Sequence, residues 1–514
     1  MPEEPPAPGG SAGPPAHIIA KPGVALGVIV AIASVGQFMA VLDTSIVNIA
    51  LPAMRSALGL SANVQQWVVD GYLVAFGGFL LLAARASDLF GRTRVFQAGL
   101  ALFTLASLAG GLATDGTMLL IARAVQGLGA AALAPVSLSL ITASHAHATP
   151  GQRTRALAIW AAAGASAGAV GMILGGVLTA ELSWRWVFFV NVPLGAALLA
   201  ATVVWLLPAS ANGGQRKRLD LPDALTITLG TGLLVYGVSA ATEYGWGSVA
   251  VIAALAGSAI LLAAFILIER KSGHPLVRLS IFRNRGLSVA GVVMLCAGVL
   301  MTATIFFLSL YFQQVLGYSA LRAGLAMVPM TLLMVVGSFV CRSLVPVLGV
   351  RKLTLAGALP TAAGLAWLTT IPAQQPTYLV HVLGPTLLIG AGLGQMLLPA
   401  TISATAGLAP HEAGLASGIV NVARQIGGAV GLAALVTAAG TATGRASGPD
   451  AIVHGYHVAL AADAGVAVLA AVAALFLPAA GKSATRAANP GSLAAPPLRQ
   501  GSAATVGSPA EDPH

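Results

Sequence analysis

The sequence is divided into apolar runs of about twenty residues, the length that a helix needs to cross the hydrocarbon core of a bilayer. Because these runs are continuous rather than alternating, a transmembrane β-barrel is excluded. With 57% hydrophobic and 8% charged residues and a mean hydropathy of +0.87, the 514-residue chain is unlike a soluble enzyme, a coiled coil or a disordered scaffold. The sequence therefore predicts an all-α polytopic membrane protein.

Fourteen apolar spans are predicted, and an even number places both termini on the same side of the membrane. They lie at 24–47, 63–83, 95–113, 117–140, 155–180, 187–208, 224–243, 248–268, 286–311, 322–345, 353–371, 381–403, 416–439 and 457–478. Most of the 26 Lys and Arg residues fall on that side, so the positive-inside rule makes it the cytoplasm. The exceptions are Arg55, Arg185, Arg322 and Arg445 on the other side, and Arg123 and Arg424 within spans.

Short segments recur in the two halves of the chain at a nearly constant spacing. The segment Leu89–Val95 resembles Val347–Leu353, 258 residues later, and Gly168–Gly171 recurs as Gly428–Gly431, 260 residues later. Internal repeats of this kind are typical of transporters. Because each match moves a span by eight positions, we predict two pseudo-symmetric six-helix bundles with two inserted helices, fourteen transmembrane helices in all.

The same pattern predicts the domain boundaries. The six-helix bundles are expected at 23–208 and 286–478, and the two inserted helices with their flanking basic loops at 209–285. Residues 1–22 and 479–514 are expected to be disordered cytoplasmic tails. The first of these is rich in Pro and Gly and lacks the basic and apolar regions of a cleaved signal peptide.

Asp43 is a carboxylate near the outer end of the first span, in the segment Asp43–Pro52. A charge at the centre of a membrane helix costs about 2.5 to 3.5 kcal/mol on insertion scales. We therefore expect Asp43 to face a cavity or a partner and to take up and release a proton, with Asn48 of the same segment as a further candidate. The alternative is that Asp43 has reached the outer interface and is a solvated helix end, with Pro52 marking the loop.

Arg123 lies within the fourth span, with Gln126 three residues later. A guanidinium does not deprotonate at accessible pH, so Arg123 cannot carry the proton itself, but it can bind a carboxylate such as Asp43 or a substrate dipole. The alternative is an arginine that snorkels to the near interface. The positive-inside bias disfavours that alternative, because this end of the helix lies outside.

Further polar residues within spans are candidates for proton coupling or substrate binding, and they include Asp70, Arg424 and Gln425, with Asp463 and Glu243 as additional intramembrane candidates. Asp70 either lines a pore or caps an early turn of its helix. His145 and His147 lie in a loop and are expected to face solvent, and no metal-ligand motif occurs. We therefore expect no metal, no cofactor and no catalytic residue.

A tight turn between the second and third spans carries Arg85, Asp88, Gly91 and Arg92. Gly91 permits the turn, and Asp88 beside the arginines can pair across a helix end. The cluster is therefore a candidate conformational lock. The alternative is that these are positive-inside charges and nothing more, which leaves Asp88 unexplained.

The fifth span carries glycines at small-xxx-small spacing, which lets another helix pack against its backbone. They are Gly164, Gly168, Gly171, Gly175 and Gly176. Helix packing alone accounts for them, but a transporter would use the same residues for a close contact that forms in one conformation and loosens in another.

Taken in order, these motifs resemble the fourteen-helix drug/proton antiporter branch of the major facilitator superfamily, over roughly residues 24–478. The similarity comprises Asp43–Pro52, Ser87-Asp88 with Gly91-Arg92, Arg123 with Gln126-Gly127, and Trp184–Trp186 followed by Phe188, Asn191 and Pro193. The resemblance implies that Asp43 and Arg123 act in coupling, that the cytoplasmic turn is a conformational lock and that the fifth helix is the antiporter motif. The departures are Ala84 for the usual Gly, Leu89 for the usual second Arg, and Met172 for the Pro that usually follows Gly171.

The sequence thus predicts a proton-coupled antiporter that exports drug-like or antibiotic small molecules across the bacterial cytoplasmic (inner) membrane by alternating access. The expected partners are the small-molecule substrate, protons and the lipid bilayer, with no nucleic acid, and the chain is expected to be a monomer. Apolar walls with few charges favour amphipathic, neutral or weakly cationic cargo. A solute uptake symporter of the same fold remains an alternative, and the repeat disfavours a non-transporting membrane enzyme or receptor.

Overall fold

The computed structural model describes residues 25–145, 148–207, 221–272, 279–372, 377–408, 410–444 and 448–478. The predicted tails at 1–22 and 479–514, the basic segment Arg216–Arg218 and His147 lie outside the described residues. Within the described residues the secondary structure is helical, without a β-strand.

The helices follow one another along the chain with short connections. They are α1 (Leu26–Leu58), α2 (Ala62–Phe90), α3 (Arg92–Gly111), α4 (Gly116–Ser144), α5 (Pro150–Glu181), α6 (Trp186–Phe189), α7 (Asn191–Trp205), α8 (Leu221–Tyr244), α9 (Val249–Lys271), α10 (Arg285–Leu310), α11 (Ala320–Leu368), α12 (Gly384–Thr405), α13 (Pro410–Thr443) and α14 (Pro449–Ala474). A 3-10 segment, Leu279–Arg283, precedes α10, and π-helical segments lie at Tyr311–Val315 and Tyr378–Leu383. In the described part of the chain, twelve helical stretches are long and apolar enough to span a membrane, so the protein is a multi-pass membrane protein.

One long helix, α11, covers both the tenth and the eleventh predicted spans, 322–345 and 353–371. Gly349 inside it is not helical, with φ of 76° and ψ of 163°. Gly91, between α2 and α3, has φ of 94° and ψ of 137°, and such positive φ values favour glycine. The two glycines are 258 residues apart, which is the spacing of the sequence repeat. The same tight turn therefore occurs once in each half of the chain.

Short polar side chains begin the helices at the loops. Ser61 caps α2 and Asp115 caps α4, each by accepting a backbone N–H of the first turn. At α5, Thr149 and Gln152 form a capping box around Pro150. Each cap satisfies a donor that the helix leaves unpaired and contributes about 1 kcal/mol. These capping residues fix where α2, α4 and α5 begin and therefore where the preceding loops end.

The helices pack as two groups, which we call the first bundle (α1–α7) and the second bundle (α10–α14). In the first bundle, α1 packs on α4 and α5, and α4 also packs on α2 and α3. In the second bundle, α11 packs on α12, and α10 packs on α13 and α14. The bundles meet through α2 with α13 and through α5 with α11. The pair α8 and α9 lies outside both groups, and α8 contacts α2 and α13.

The first helix is longer than the sequence predicts. Its span was expected to end at residue 47, but α1 continues to Leu58 with Pro52 inside it. Asp43 therefore lies near the middle of the helix and is 0% exposed, so its interpretation as a solvated helix end is wrong. Pro52 has no N–H for the Asn48 carbonyl, and that carbonyl instead accepts a hydrogen bond from Ser309 Oγ at 2.8 Å. This external donor explains how the helix passes through a proline.

The expectation that His145 faces solvent is also wrong. The residue follows α4 and is buried. Its Nδ1 lies 3.1 Å from the Ile141 carbonyl oxygen and 2.9 Å from Ser144 Oγ. The imidazole thus interacts with the carbonyl end of the helix, where backbone acceptors lack helical donors.

Candidate functional site

Asp43 on α1 and Arg123 on α4 form a buried ion pair inside the first bundle. Arg123 Nη1 lies 2.5 Å from Asp43 Oδ2, and the two side chains are 1% and 0% exposed. Arg123 therefore does not snorkel to an interface. Desolvating either charge alone costs several kcal/mol, which a well-placed partner offsets. Each of the two charges is therefore tolerated among apolar helices because the other one is beside it.

Neutral polar side chains complete the surroundings of this pair. Gln126 Nε2 donates to Asp43 Oδ1 at 2.6 Å and to Ser107 Oγ at 2.8 Å, and Asn191 Nδ2 donates to Asp43 Oδ1 at 3.3 Å. Arg123 Nη1 also donates to Gln126 Oε1 at 2.7 Å. We call Asp43, Ser107, Arg123, Gln126 and Asn191 the Asp43 network. Because α1, α3, α4 and α7 all contribute to it, a change of charge at Asp43 acts on much of the first bundle.

Helix α2 supports Arg123 from the other side. Arg123 Nε donates to the Val68 carbonyl at 2.9 Å, and the guanidinium carbon lies 4.4 Å from the centre of the Tyr72 ring and 5.9 Å from that of Phe188. Such cation–π contacts stabilise a desolvated cation. A Cβ at Gly127 would overlap the Tyr72 carbonyl, so this glycine allows α2 and α4 to approach closely enough for the contacts to form.

A cavity of about 1160 Å³ lies between the two bundles, large enough for a drug-sized molecule. Its polar lining includes Thr44, Ser45 and Asn48 from the first bundle and Asn421, Arg424 and Gln425 from the second. At one end of the molecule, which we call the open end, the lining continues to Arg85 and Asp88 at the α2–α3 turn and to Arg153 at the start of α5.

The residues predicted for coupling or substrate binding, apart from Asp70, Asp463 and Glu243, divide into two sets. Asn48, Arg424 and Gln425 line the cavity. Asp43, Arg123 and Gln126 lie behind its wall, in the Asp43 network, although Thr44 and Ser45 beside Asp43 do line it. The network is therefore separated from the cavity by the thickness of α1. In the described part of the chain, no group of three or more His, Cys, Asp or Glu side chains is placed to hold a metal ion.

Asp70 lies apart from the Asp43 network, where α2 faces α8. Its Oδ2 accepts a hydrogen bond from Gln66 Nε2 at 2.5 Å, and the same nitrogen lies 3.0 Å from Ser239 Oγ on α8. Asp70 is fully buried, and the residue that caps α2 is Ser61. Asp70 is thus part of a polar contact between the first bundle and the α8–α9 pair.

The predicted conformational lock lies at the mouth of the cavity. Asp88 Oδ1 is 3.9 Å from Arg92 Nη2, and both side chains are accessible, at 71% and 31%. Arg85 also lines the mouth, and Gly91 forms the turn with its positive φ. An exposed ion pair contributes little to the stability of a fold. The contact between Asp88 and Arg92 therefore adds little to the stability of the first bundle, and its position at the mouth of the cavity is its more important feature.

The glycine face of α5 packs mainly on α1. The predicted residues on this face are Gly164, Gly168, Gly171 and Gly175. A Cβ at Gly175 would lie 2.8 Å from the Ile46 carbonyl oxygen, and one at Gly176 would lie 2.8 Å from the Ala320 carbonyl oxygen on α11. Gly176 thus contacts the second bundle. The helix is continuous through Met172, which stands in place of the usual proline.

Hydrogen bonds join the two bundles at the closed end, opposite the mouth of the cavity. Ser309 Oγ donates to the Asn48 carbonyl at 2.8 Å, and Gln313 Nε2 donates to the Ile49 carbonyl at 3.0 Å. The first of these acceptors is the carbonyl that Pro52 leaves without a helical donor. We call these two hydrogen bonds the α1 clasp.

Sequence reasoning identified the uncharged residues Asn48, Gln126 and Gln425 as candidates but did not assign a site role to four others. Ser107 and Asn191 complete the Asp43 network, and Ser309 and Gln313 form the α1 clasp. Asn191 stands in the segment that resembles the family but had no assigned role, and the signal of the other three is a polar side chain in or beside an apolar span. Such residues are common in membrane helices and do not reveal their partners.

Comparisons with known proteins agree with this architecture. A family model described as Major Facilitator Superfamily matches residues 33–432. The chain is 41% identical over 452 residues to the puromycin resistance protein pur8 of Streptomyces alboniger, covering 86% of this chain and 89% of that protein. It is 44% identical over 414 residues to the cephamycin export protein CmcT of Amycolatopsis lactamdurans, covering 80% of this chain and 85% of that protein.

Solved structures are similar at the level of the fold. The nucleoside transporter NupG has a TM-score of 0.61 at 14% identity, covering 88% of this chain and 99% of that chain. An auto-inhibited peptide transporter of the POT family has a TM-score of 0.60 at 15% identity, covering 88% and 95%. At these identities the likeness concerns the fold alone.

Proposed function

Because the chain belongs to the major facilitator superfamily, as its motifs indicate, we propose that it exports drug-like or antibiotic small molecules in exchange for protons. Membership of this family makes it a transporter of small molecules rather than an enzyme. Relatives named for puromycin resistance and cephamycin export support an antibiotic as cargo. The observation that carries the proposal is the ion pair of Asp43 and Arg123, sealed one helix away from a cavity that is open at one end.

Asp43 is the proton carrier in this proposal. As a carboxylate it neutralises Arg123. When a proton arrives, Asp43 loses its charge while Arg123 keeps its own, because a guanidinium does not deprotonate. The ion pair is then lost, and Arg123 retains neutral acceptors such as the Val68 carbonyl. Protonation therefore changes how α1 is held against α4.

Helix α1 connects this event to the cavity and to the closed end. It carries Asp43, the cavity-lining Asn48 and the two carbonyl acceptors of the α1 clasp. A movement of α1 on protonation therefore changes the cavity wall and displaces the acceptors of Ser309 and Gln313. Loss of the clasp lets the closed end open, which is one half of an alternating-access cycle.

For the topology, we propose fourteen membrane spans rather than the twelve stretches that meet the criteria of length and hydropathy. Gly349 divides α11 into two spans, and α3 has 20 residues, about 30 Å of helix. Two six-helix bundles at 23–208 and 286–478, with two inserted helices within 209–285, then follow. We place this monomer in a bacterial inner membrane with both termini and the open end in the cytoplasm, because that side carries most of the bases.

In this orientation the conformational lock lies on the cytoplasmic side. Arg85 and Asp88 line the mouth through which cargo enters from the cytoplasm, and Gly91 and Arg92 follow in the same turn. In the proposed cycle, this turn moves towards the second bundle when the mouth closes. The glycine face of α5, with Gly176 against α11, provides the corresponding close contact at the other end.

The proton gradient is sufficient for such an exchange. One proton entering down a potential of ~150 mV releases about 3.5 kcal/mol. At ~1.36 kcal/mol per tenfold, this sustains roughly a 300-fold gradient of a neutral compound. The entry of one proton per cycle, carried by a single carboxyl such as Asp43, therefore releases enough free energy to drive export.

Reconstitution into liposomes that contain the pH indicator pyranine tests this function. Puromycin and cephamycin serve as probes because the relatives are named for them. With an imposed pH gradient, either compound is expected to discharge the gradient through the protein while moving against the proton. Movement of compound and proton in the same direction would indicate an uptake symporter. A gradient that neither these two probes nor a wider panel of drug-like compounds discharges would refute the proposal.

The α1 clasp gives a second prediction, on the conformational equilibrium. Replacing Ser309 and Gln313 together by alanine removes two hydrogen bonds between the bundles, each contributing about 0.5–1.5 kcal/mol. The equilibrium is expected to shift about 5- to 150-fold towards the state that is open at the closed end. Spin labels at exposed positions, introduced as Leu182→Cys and Leu325→Cys in a chain without its native cysteines, should then report longer distances.

Ser338→Ala is the matched control for the clasp. Ser338 Oγ donates to the Gly394 carbonyl, so its hydrogen bond stays within the second bundle. The control is expected to leave the distance between the labels unchanged. Equal distance distributions in the clasp variant and the control would show that the clasp does not hold the closed end.

A further inference from the structure

Arg424 is a cation in the cavity wall that forms no ion pair with any described residue. Its Nη2 donates to Asn421 Oδ1 at 2.9 Å, one turn earlier on α13. That amide oxygen is the one protein acceptor that the described residues offer it, although a guanidinium carries five N–H donors in a planar fork. Most of the fork is therefore available to a molecule in the cavity.

Arg424 differs from Arg123, the other arginine within a span, in its partners and in its access to the cavity. Arg123 in the first bundle is neutralised by Asp43 and does not line the cavity. Arg424 in the second bundle lines the cavity, and no described carboxylate pairs with it. An uncompensated charge at membrane depth is costly. A ligand with an acidic group would supply the counter-charge that the described part of the chain does not.

Taken together, the other charged residues that line the cavity also favour an anionic ligand. Its charged lining residues in the described chain are Arg85, Asp88, Arg153 and Arg424. The acid among them, Asp88, lies at the mouth and faces Arg92. Asp43 lies behind the wall and is already bound to Arg123. The field inside the cavity therefore favours an anion over a cation.

From these observations we infer that the cargo is an amphipathic organic acid and that Arg424 binds its carboxylate. The guanidinium fork matches the two oxygens of a carboxylate. Gln425 beside it offers a further amide, and Met301 and Ile305 offer apolar wall for the body of the molecule. This inference rests on the proposed export function and names the class of its cargo. It departs from the expectation of neutral or weakly cationic cargo, because composition does not show which charges face the cavity.

Binding of matched acids and esters to the purified full-length chain in neutral detergent tests the inference. The probes are N-dansyl-phenylalanine and 1-pyrenebutyric acid, the methyl ester of each, and ethidium as a cation, with binding measured by probe fluorescence. Each acid is expected to bind at least about tenfold more tightly than its ester, as expected for a hydrogen bond between charged groups. Ethidium is expected to bind more weakly than either acid.

Variants of Arg424 separate a direct contact from a general effect of charge. Arg424→Gln should weaken binding of the acids about 10- to 100-fold while the esters change by less than about threefold, which shows that the cavity is still folded. Arg424→Lys keeps the charge without the fork and should lose less affinity. Arg342→Gln removes an exposed cation that does not line the cavity and should leave binding of the acids unchanged within about twofold, because water screens a charge there.

Three results would overturn the inference: esters or ethidium binding as tightly as the acids, unchanged binding of the acids to Arg424→Gln, or binding of neither acid. If phosphatidylglycerol binds through Arg424 and the small acids do not, the acidic ligand is a lipid and the inference of a small-molecule acid is overturned. The proposed export function and the inference of an acidic cargo can be refuted independently of each other. Proton-coupled transport of the methyl esters or ethidium, with neither acid transported or bound, would sustain export and refute the acid, whereas Arg424-dependent binding of acids without proton exchange would sustain the acid and refute proton coupling.

Discussion

Proteoliposomes that contain Asp43→Asn are expected to show no proton flux on addition of a transported compound, at the level of protein-free liposomes. Asparagine has nearly the same shape as aspartate, and its single side-chain oxygen can accept a hydrogen bond from Arg123 or from Gln126 while its NH2 group takes the place of the other oxygen. It cannot take up or release a proton. The exchange of a proton for cargo therefore loses its carrier, while the cavity and its lining residues remain in place.

Asp450→Asn is the matched control for this result. Asp450 lies in the first turn of α14 and is exposed, so the same chemical change there removes a solvated carboxylate. Its proton flux should equal that of the unmodified chain. Normal proton-coupled export by Asp43→Asn would show that another group carries the proton. The assay is normalised to folded protein, because the substitution also affects stability.

The ion pair could be predicted from the sequence because charges within membrane helices need partners. Asp43 and Arg123 are a carboxylate and a guanidinium in different apolar spans, so the cost of leaving either alone in lipid predicts a partner for each and makes Asp43 a candidate for Arg123. The repeat was also visible, and it places Gly91 and Gly349 in equivalent turns. Both features could be predicted because charges within apolar spans and a repeat at a constant spacing are rare and easily seen in a sequence.

Other features depend on contacts that the sequence does not reveal. Pro52 appeared to end the first span, because a proline within a helix leaves a carbonyl without a donor. The donor that satisfies it, Ser309, is more than two hundred residues away in the chain. Likewise, Arg123 and Arg424 look alike in the sequence, each an arginine in an apolar span. Which of them has an acid beside it was determined by packing between helices.

Stability should respond unequally to removal of the two partners of the ion pair. Asp43→Asn leaves the charge of Arg123 buried, and a guanidinium cannot discharge itself. Its free energy of unfolding should fall by about 3–5 kcal/mol, the usual cost of an unpaired buried charge. Arg123→Met leaves a carboxyl that can bind a proton and become neutral, so its loss should be smaller. Unfolding of the purified chain by a denaturing detergent measures both.

The double variant, Asp43→Asn with Arg123→Met, shows whether the two residues act as one unit. It contains neither charge, and a pair replaced by neutral groups of similar size is often nearly neutral for stability. The double variant should therefore be more stable than Asp43→Asn alone, by a coupling energy of about 2 kcal/mol or more. Losses that simply add would show that the pair is not an energetic unit. A stable double variant that still moves no protons would separate the role of Asp43 in coupling from its role in the fold.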